Sequence, residues 1–192
     1  MSRRSYDHYC AVSRALDFVG DRWSLLVVRE LSAGPRRYSD LFADLPGIST
    51  DMLATRLKGL ERDGVIIHRR NGMRSSYELT DTGRTLRPVL DALAAWGTPL
   101  LGDRKPTDAV RAHWLALPLG RAIATALPEG TVTVHIGDTV LHYVITPDGI
   151  THHDGPAPTP DWELRLDLAE ATEITTGVRG LTLETFSAAP AH

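Results

Sequence analysis

At 192 residues, with 42% hydrophobic and 23% charged side chains, the chain is long enough for one large or two small domains and too apolar for intrinsic disorder. Its single cysteine, Cys10, excludes an internal disulfide framework, and no apolar run approaches the roughly 18 residues that a membrane helix needs. The N-terminus MSRRSYDHYC lacks the apolar core of a signal peptide, so the expected compartment is cytoplasmic, with no membrane partner. The formal net charge of -3 hides an asymmetry: residues 1–97 hold 15 Lys+Arg against 12 Asp+Glu, and residues 98–192 hold 6 against 12. Only the first half suits a polyanionic partner.

The spacing of Val12, Ala15, Leu16 and Val19 predicts a short amphipathic helix ending at Gly20. A second helix is expected from Asp21 as N-cap, with Trp23, Leu26, Val27, Glu30 and Leu31 at helical spacing and Trp23 in the core, stopped by Gly34-Pro35. A third, Tyr38 to Leu45, should turn Leu41, Phe42 and Leu45 inward and end at Pro46-Gly47. The fourth runs from Ser49 to Gly64. Its Leu53, Leu57 and Leu60 make a narrow apolar stripe, and Asp51, Thr55, Lys58 and Arg62 lie roughly opposite. Ser49 or Thr50 can cap its start, and Gly64 can close its end with positive φ. After Gly64 the period changes: VIIHRR and SSYELT read as strands, and Asn71-Gly72 between them reads as a type I′ hairpin turn. A helix then starts at Thr80 or Asp81 and carries Leu86, Val89, Leu90, Leu93 and Trp96 on one apolar face, with Pro88 in its first turns or at a bend.

Three helices with a Pro-Gly turn before the third, followed by a hairpin, outline a winged helix-turn-helix. The stretch from Cys10 to Gly97 resembles the HxlR family of bacterial transcription regulators, a winged-helix group akin to the MarR proteins. The resemblance rests on Cys10, GDRWSLLVVREL, GPRRYSDLFADLPGIST, LATRLKGLERDGVIIHR, YELTDTG and Trp96. This chain departs from the family pattern in having Arg22 where Lys is usual, Tyr38 where Phe is usual, and NGMRSS where the wing usually has a proline. The resemblance implies a homodimer on double-stranded DNA. Two copies of the helix from Ser49 would enter successive major grooves, and the wings, residues 69–75, would reach the flanking backbone or minor groove.

The residues agree with that implication. Arg36, Arg37, Lys58, Arg69, Arg70 and Arg74 fall on predicted turns, the exposed helix face or the wing, where phosphate contacts need cations. Thr50, Asp51, Ala54, Thr55 and Lys58 flank the helix that Ser49 opens, over residues 49–63, and are the expected base-reading set. Two competing readings pair Arg56 with Glu61 or another acid, and Arg37 with Asp40. Leu86, Val89, Leu90, Leu93 and Trp96 are the expected dimerisation face, pairing with a symmetry mate and with the helix from Cys10. In relatives a cysteine at the position of Cys10 senses oxidants or electrophiles, and a helix start can lower a thiol pKa. A small buried apolar cysteine is the alternative.

The expected organisation is α+β: a winged-helix domain over residues 1–97, a linker over 98–108 and an α+β domain over 109–192 with a mainly antiparallel sheet. In the last, AVRAHWLALPLGRAIATAL reads as helix. TVTVHI, TVLHYVI, ITHHDG and WELRLDL read as at least four strands in a meander, followed by a helix from Ala169 to Thr176 and a last strand in LTLETF. The strand order, the IGD and PDG turns and the PAPTPDWEL step resemble the SCP2-like (sterol carrier) fold. That resemblance implies an apolar cavity for a hydrophobic small-molecule effector, against the alternative of a sheet that only buttresses the dimer. His135, His142, His152 and His153 lie on different strands or opposite faces and lack metal-ligand spacing. No GxSxG, Walker loop or GxGxxG is present, so no metal, cofactor or enzymatic role is expected. A lipid or small-molecule carrier whose winged helix mediates assembly is the rival function.

Overall fold

The computed structural model describes residues 5–72 and 74–189, and the side chains of Asn71 and Arg74 also lie outside the described set. The chain divides into two compact units, Met1–Pro88 and Val89–His192.

In the first unit α1 (Ala11–Val19) precedes α2 (Ser24–Leu31), α3 (Tyr38–Asp44) and α4 (Thr50–Arg62). Trp23, not Asp21, holds the N-cap position of α2, but Asp21 still satisfies the helix entry: its Oδ1 accepts the N–H groups of Trp23 at 2.9 Å and Ser24 at 3.1 Å, and its Oδ2 accepts the Ser24 hydroxyl. Trp23, expected in the core, is half-buried at the entry to that helix, under the Arg22 guanidinium at 5.7 Å. Val27, Val28 and Leu31 are buried, as is Glu30, whose carboxylate accepts from Arg29 Nε at 2.9 Å. In α3, Leu41 is buried, whereas Phe42, expected inward, is exposed beside Tyr38, 6.5 Å away between ring centroids. One residue on from Leu41, it points about 100° away from the core side.

The turn into α4 needs Gly47, whose φ of 91° is costly for any residue with a Cβ. Ser49 caps α4 by accepting the Met52 N–H at 3.3 Å, and Leu53, Leu57 and Leu60 are buried as one stripe. Strands β1 (Ile66–Asn71) and β2 (Arg74–Leu79) form the antiparallel hairpin. Asn71, expected in the turn, pairs with Arg74 and so belongs to the ladder, while Gly72 takes the positive φ expected of the turn. Met73 lies outside the described residues. Arg36 adds a two-sided bridge to β2, its N–H donating to Tyr77 O at 3.0 Å and its C=O accepting from Tyr77 N at 2.8 Å.

The single helix expected after Thr80 is two. A one-turn α5 (Asp81–Arg84), capped by Thr80 Oγ1 on the Gly83 N–H at 3.0 Å, is followed by α6 (Arg87–Gly97). Pro88 sits at the second position of α6, where its missing N–H leaves no helix bond unmade. Gly83 allows the chain to pass close to β1, since a Cβ there would lie 2.1 Å from Val65 O.

The second unit contains α7 (Ala116–Ala126), β3 (Gly130–Ile136), β4 (Thr139–Thr146), β5 (Gly149–Asp154), β6 (Trp162–Leu166), α8 (Leu168–Thr175) and a short β7 (Ser187–Ala188). The expected meander holds only for β3, β4 and β5. The sheet order is β5-β4-β3-β6-β7, with β6 crossing back to run parallel to β3 and β7 antiparallel to β6. Of LTLETF, Leu183–Thr185 forms a 3-10 turn, and the strand follows it. Val132, Val134, Ile136, Leu141 and Tyr143 cover one sheet face and pack in one core with Leu119, Ile123 and Ile174 of α7 and α8. The Tyr143 hydroxyl donates to Ala116 O at 3.0 Å, which anchors α7 to β4. On the opposite face Thr133 is buried, because the segment after β5 lies over it and the Ala157 N–H donates to its hydroxyl at 3.1 Å.

Candidate nucleic-acid interface

Burial of Leu53, Leu57 and Leu60 determines which side of α4 faces out: Thr50, Asp51, Thr55, Lys58 and Glu61 are exposed and Ala54 is half-buried. Asp51, Thr55 and Lys58, at i, i+4 and i+7, form one ridge. Thr55 donates its hydroxyl to Asp51 O at 2.7 Å, so it presents an acceptor oxygen and a methyl group outward. Ser49 is exposed, but its oxygen is committed to the cap. Two contributors escaped the sequence reading. Met52, off the leucine stripe, is an exposed apolar side chain on the same helix, and Tyr38 donates its hydroxyl to Thr50 O at 2.9 Å, tying α3 to the start of α4. The missing family Phe at position 38 was the available signal for the second, since only a tyrosine can make that bond.

The cations differ in what holds them. Arg37 is exposed at the start of α3, where Asp40 accepts its backbone N–H at 3.1 Å rather than pairing with its guanidinium. Arg36 is half-buried at its bridge to β2. On the wing, Arg69 Nε donates to Glu78 Oε1 at 2.6 Å across the strands, whereas exposed Arg70 and Lys58 have no ion pair among the described residues. The side chain of Arg74 lies outside the described residues. Arg56 pairs with an acid, but with Asp21 at 3.3 Å and not with Glu61. The His68 and Tyr77 rings stack at 4.3 Å, and burial, with Glu61 nearby, raises the Tyr77 phenol above its ordinary value, so it stays neutral.

A sequence model described as HxlR-like helix-turn-helix matches residues 18–105. The chain is 39% identical over 97 residues to the uncharacterized HTH-type transcriptional regulator sll1512 of Synechocystis sp., covering 49% of this chain and 72% of that protein. The chain belongs to the HxlR-like helix-turn-helix family. Another relative, the uncharacterized HTH-type transcriptional regulator YvaP of Bacillus subtilis, is 38% identical over 88 residues, covering 44% of this chain and 82% of that protein. A solved structure of the HTH-type regulator ytcD shares 33% identity and has a TM-score of 0.47, covering 49% of this chain and 99% of that one.

Outside the HxlR-like interface, Cys10 is exposed at the residue before α1, which overturns the buried-cysteine alternative. The backbone N–H and hydroxyl of Ser13 lower its thiol pKa below the ordinary value. On α6, Val89, Leu93 and Trp96 are exposed, Trp96 by 71%, and Leu90 is only 6% exposed, while Leu86, just before the helix, is half-buried. The expected face is therefore two faces: Leu90 lies about 100° round the helix from Val89 and turns inward. Val12 and Leu16 of α1 are likewise exposed, and Val19 is buried. Of the histidines, His152 faces the core, whereas His142 and His153 are cross-strand partners stacked at 5.0 Å on the other face of β4 and β5. Among the described residues no helix is long and apolar enough to cross a membrane.

Proposed function

We propose that this chain is a dimeric DNA-binding transcription regulator that inserts α4 into the major groove. The observation that carries this reading is the ridge of Asp51, Thr55 and Lys58, held outward by a fully buried leucine stripe and flanked by a hairpin bearing Arg69, Arg70 and Arg74. Asp51 can accept from a cytosine amino group, and Thr55 can offer its methyl group to thymine or its oxygen to an exocyclic amine. Thr50, Ala54 and Met52 flank that ridge. Lys58, Arg37 and Arg70 supply phosphate contacts, with Arg36 and Arg69 behind them. Ser49 acts by fixing the helix start.

The exposed apolar residues of α1 and of α6, Val89, Leu93 and Trp96 foremost, support a homodimer, because such surface is costly in water and a two-fold partner covers it. Relatives are regulators by name, which supports the same role here. Cys10 supports a redox input through its accessible, pKa-lowered thiol. For the second unit, the burial of one sheet face around Tyr143 against α7 and α8 supports a buttress over an SCP2-like carrier of large lipids.

The test is fluorescence anisotropy with DNA from the protein's own promoter. Tight, sequence-dependent binding that weakens at least tenfold in a Thr55→Ala/Lys58→Ala double variant is the expected result. Absence of sequence-dependent binding at low salt refutes the proposal and favours the assembly-only carrier.

A further inference from the structure

Behind the recognition ridge, the first unit carries a half-open cavity of about 930 Å³ between α1, the start of α2 and the C-terminal half of α4, at the upper end of the size range of small-molecule sites. Leu16, Phe18 and Leu60 give it an apolar wall, and Arg56 and Arg62 of α4 and three carboxylates give it polar groups. The charges are not equally reachable. Asp17 is 3% exposed and bonded to Tyr6 N and Arg14, and Asp63 is 10% exposed and paired with Arg62. Arg62 is 60% exposed and Arg56 33%. Asp21, 26% exposed, matches Arg56, so the charge an entering molecule meets first is the Arg62 guanidinium, although the lining carries three carboxylates against two guanidiniums. Arg56 also has donor capacity to offer: its one ion pair, to Asp21, is long at 3.3 Å, and its Nε has no hydrogen-bond partner among the described residues.

Gly59 is a second, independent observation. It stands in the interior of α4, where glycine is the poorest choice after proline, and no packing requires it, since a Cβ there would meet nothing within 4 Å. It lines this cavity between Arg56 and Arg62. A glycine there keeps the helix wall low where a ligand would lie against it.

We propose that this cavity binds a small organic anion with an apolar body, its acid group on Arg56 and Arg62 and its body against Leu16, Phe18 and Leu60. Binding draws Arg56 away from Asp21, the residue that also accepts the N–H groups at the entry of α2, and so loosens the hold of α2 on the recognition helix. This second step rests on the DNA-binding reading; the binding itself does not.

The probe is anilinonaphthalene sulfonate, an apolar fluorescent anion, titrated into the full chain and displaced with octanoate. Expected are saturable binding, displacement by octanoate but not by octanol, at least a tenfold loss of affinity in Gly59→Phe, and retention in Gly59→Ala. Arg56→Gln should weaken octanoate displacement several-fold with the melting temperature maintained. Unchanged binding in Gly59→Phe, or equal displacement by octanol, overturns the site. In the DNA assay octanoate should weaken wild-type binding and spare Gly59→Phe; an equal effect on both, or none on the wild type, overturns the coupling. A chain that shows the expected probe behaviour yet never binds DNA leaves the cavity standing and removes the regulator reading.

Discussion

The two neighbouring arginines of the wing should behave differently, and salt dependence measures the difference. Each phosphate neutralised by a cation contributes about -0.9 to the slope of log affinity against log salt, so a dimer that loses one contact per protomer flattens by about 1.8. Between about 50 and 200 mM salt that amounts to about a tenfold smaller loss of affinity. Arg70→Ala should show this full change, because Arg70 is exposed with no ion pair among the described residues. Arg69 is different: its guanidinium is bonded to Glu78 at 2.6 Å, so the pair presents little net charge to a phosphate. Arg69→Ala should therefore flatten the slope less than half as much, and Glu78→Gln, which releases Arg69, should steepen it toward about 1.8 beyond wild type. Anisotropy titrations at several salt concentrations on one operator decide it. Equal flattening by Arg69→Ala and Arg70→Ala, or no steepening in Glu78→Gln, refutes the reasoning.

Other expectations concern stability and reactivity. Leu57→Ala, at a side chain 1% exposed, should cost about 2–5 kcal/mol and lower the first unit's melting temperature by about 10 °C or more, whereas Thr55→Ala should leave it nearly unchanged. Gly59→Ala should raise chemical-denaturation stability by up to about 1 kcal/mol, since the added methyl meets nothing within 4 Å; a loss would show a hidden packing constraint. Tyr143→Phe removes the bond to Ala116 O and should destabilise the second unit by about 1 kcal/mol, read in its denaturation midpoint. Ser13→Ala removes a group that stabilises the Cys10 thiolate. The pH midpoint of Cys10 alkylation should rise toward the ordinary thiol value, and an unchanged midpoint would discount the Ser13 hydroxyl.

The elements of the first unit were legible because each is punctuated locally. Ser49 and Gly64 bound α4, and the stripe of Leu53, Leu57 and Leu60 fixes its rotation, so the outward residues follow from periodicity. Where the sequence reading slipped, two local signals competed or a distant partner decided. Asn71-Gly72 is a strong turn dipeptide, yet strand register draws Asn71 into the ladder opposite Arg74. Leu86, Val89, Leu90, Leu93 and Trp96 all read as apolar, but hydrophobicity alone does not separate a residue that is buried from one that stays exposed. In the second unit, alternation identified the strands but carries no information about their order, so the return of β6 to pair in parallel with β3 was invisible. The partners of the arginines were equally hidden: Asp21 lies far from Arg56 in sequence, and Glu78 reaches Arg69 only through the hairpin.

These pairings divide the basic residues of α4 and the wing by task. A cation that reads or grips DNA has to be free of local acids, as Lys58 and Arg70 are among the described residues, while one that is bonded internally serves geometry. Arg56 is of the second kind. It lies one residue beyond Thr55 on the same helix, but its rotation of about 100° carries it from the exposed ridge to the side that faces Asp21 and α2. The same helix thus presents its exposed ridge on one flank and the Arg56–Asp21 pair on the other. A half-exposed ion pair of this kind is worth only about 0–1 kcal/mol. That modest strength is what a regulatory contact requires, because a competing acid group of ordinary affinity can replace Asp21 without unfolding a helix whose leucine stripe is otherwise fully buried.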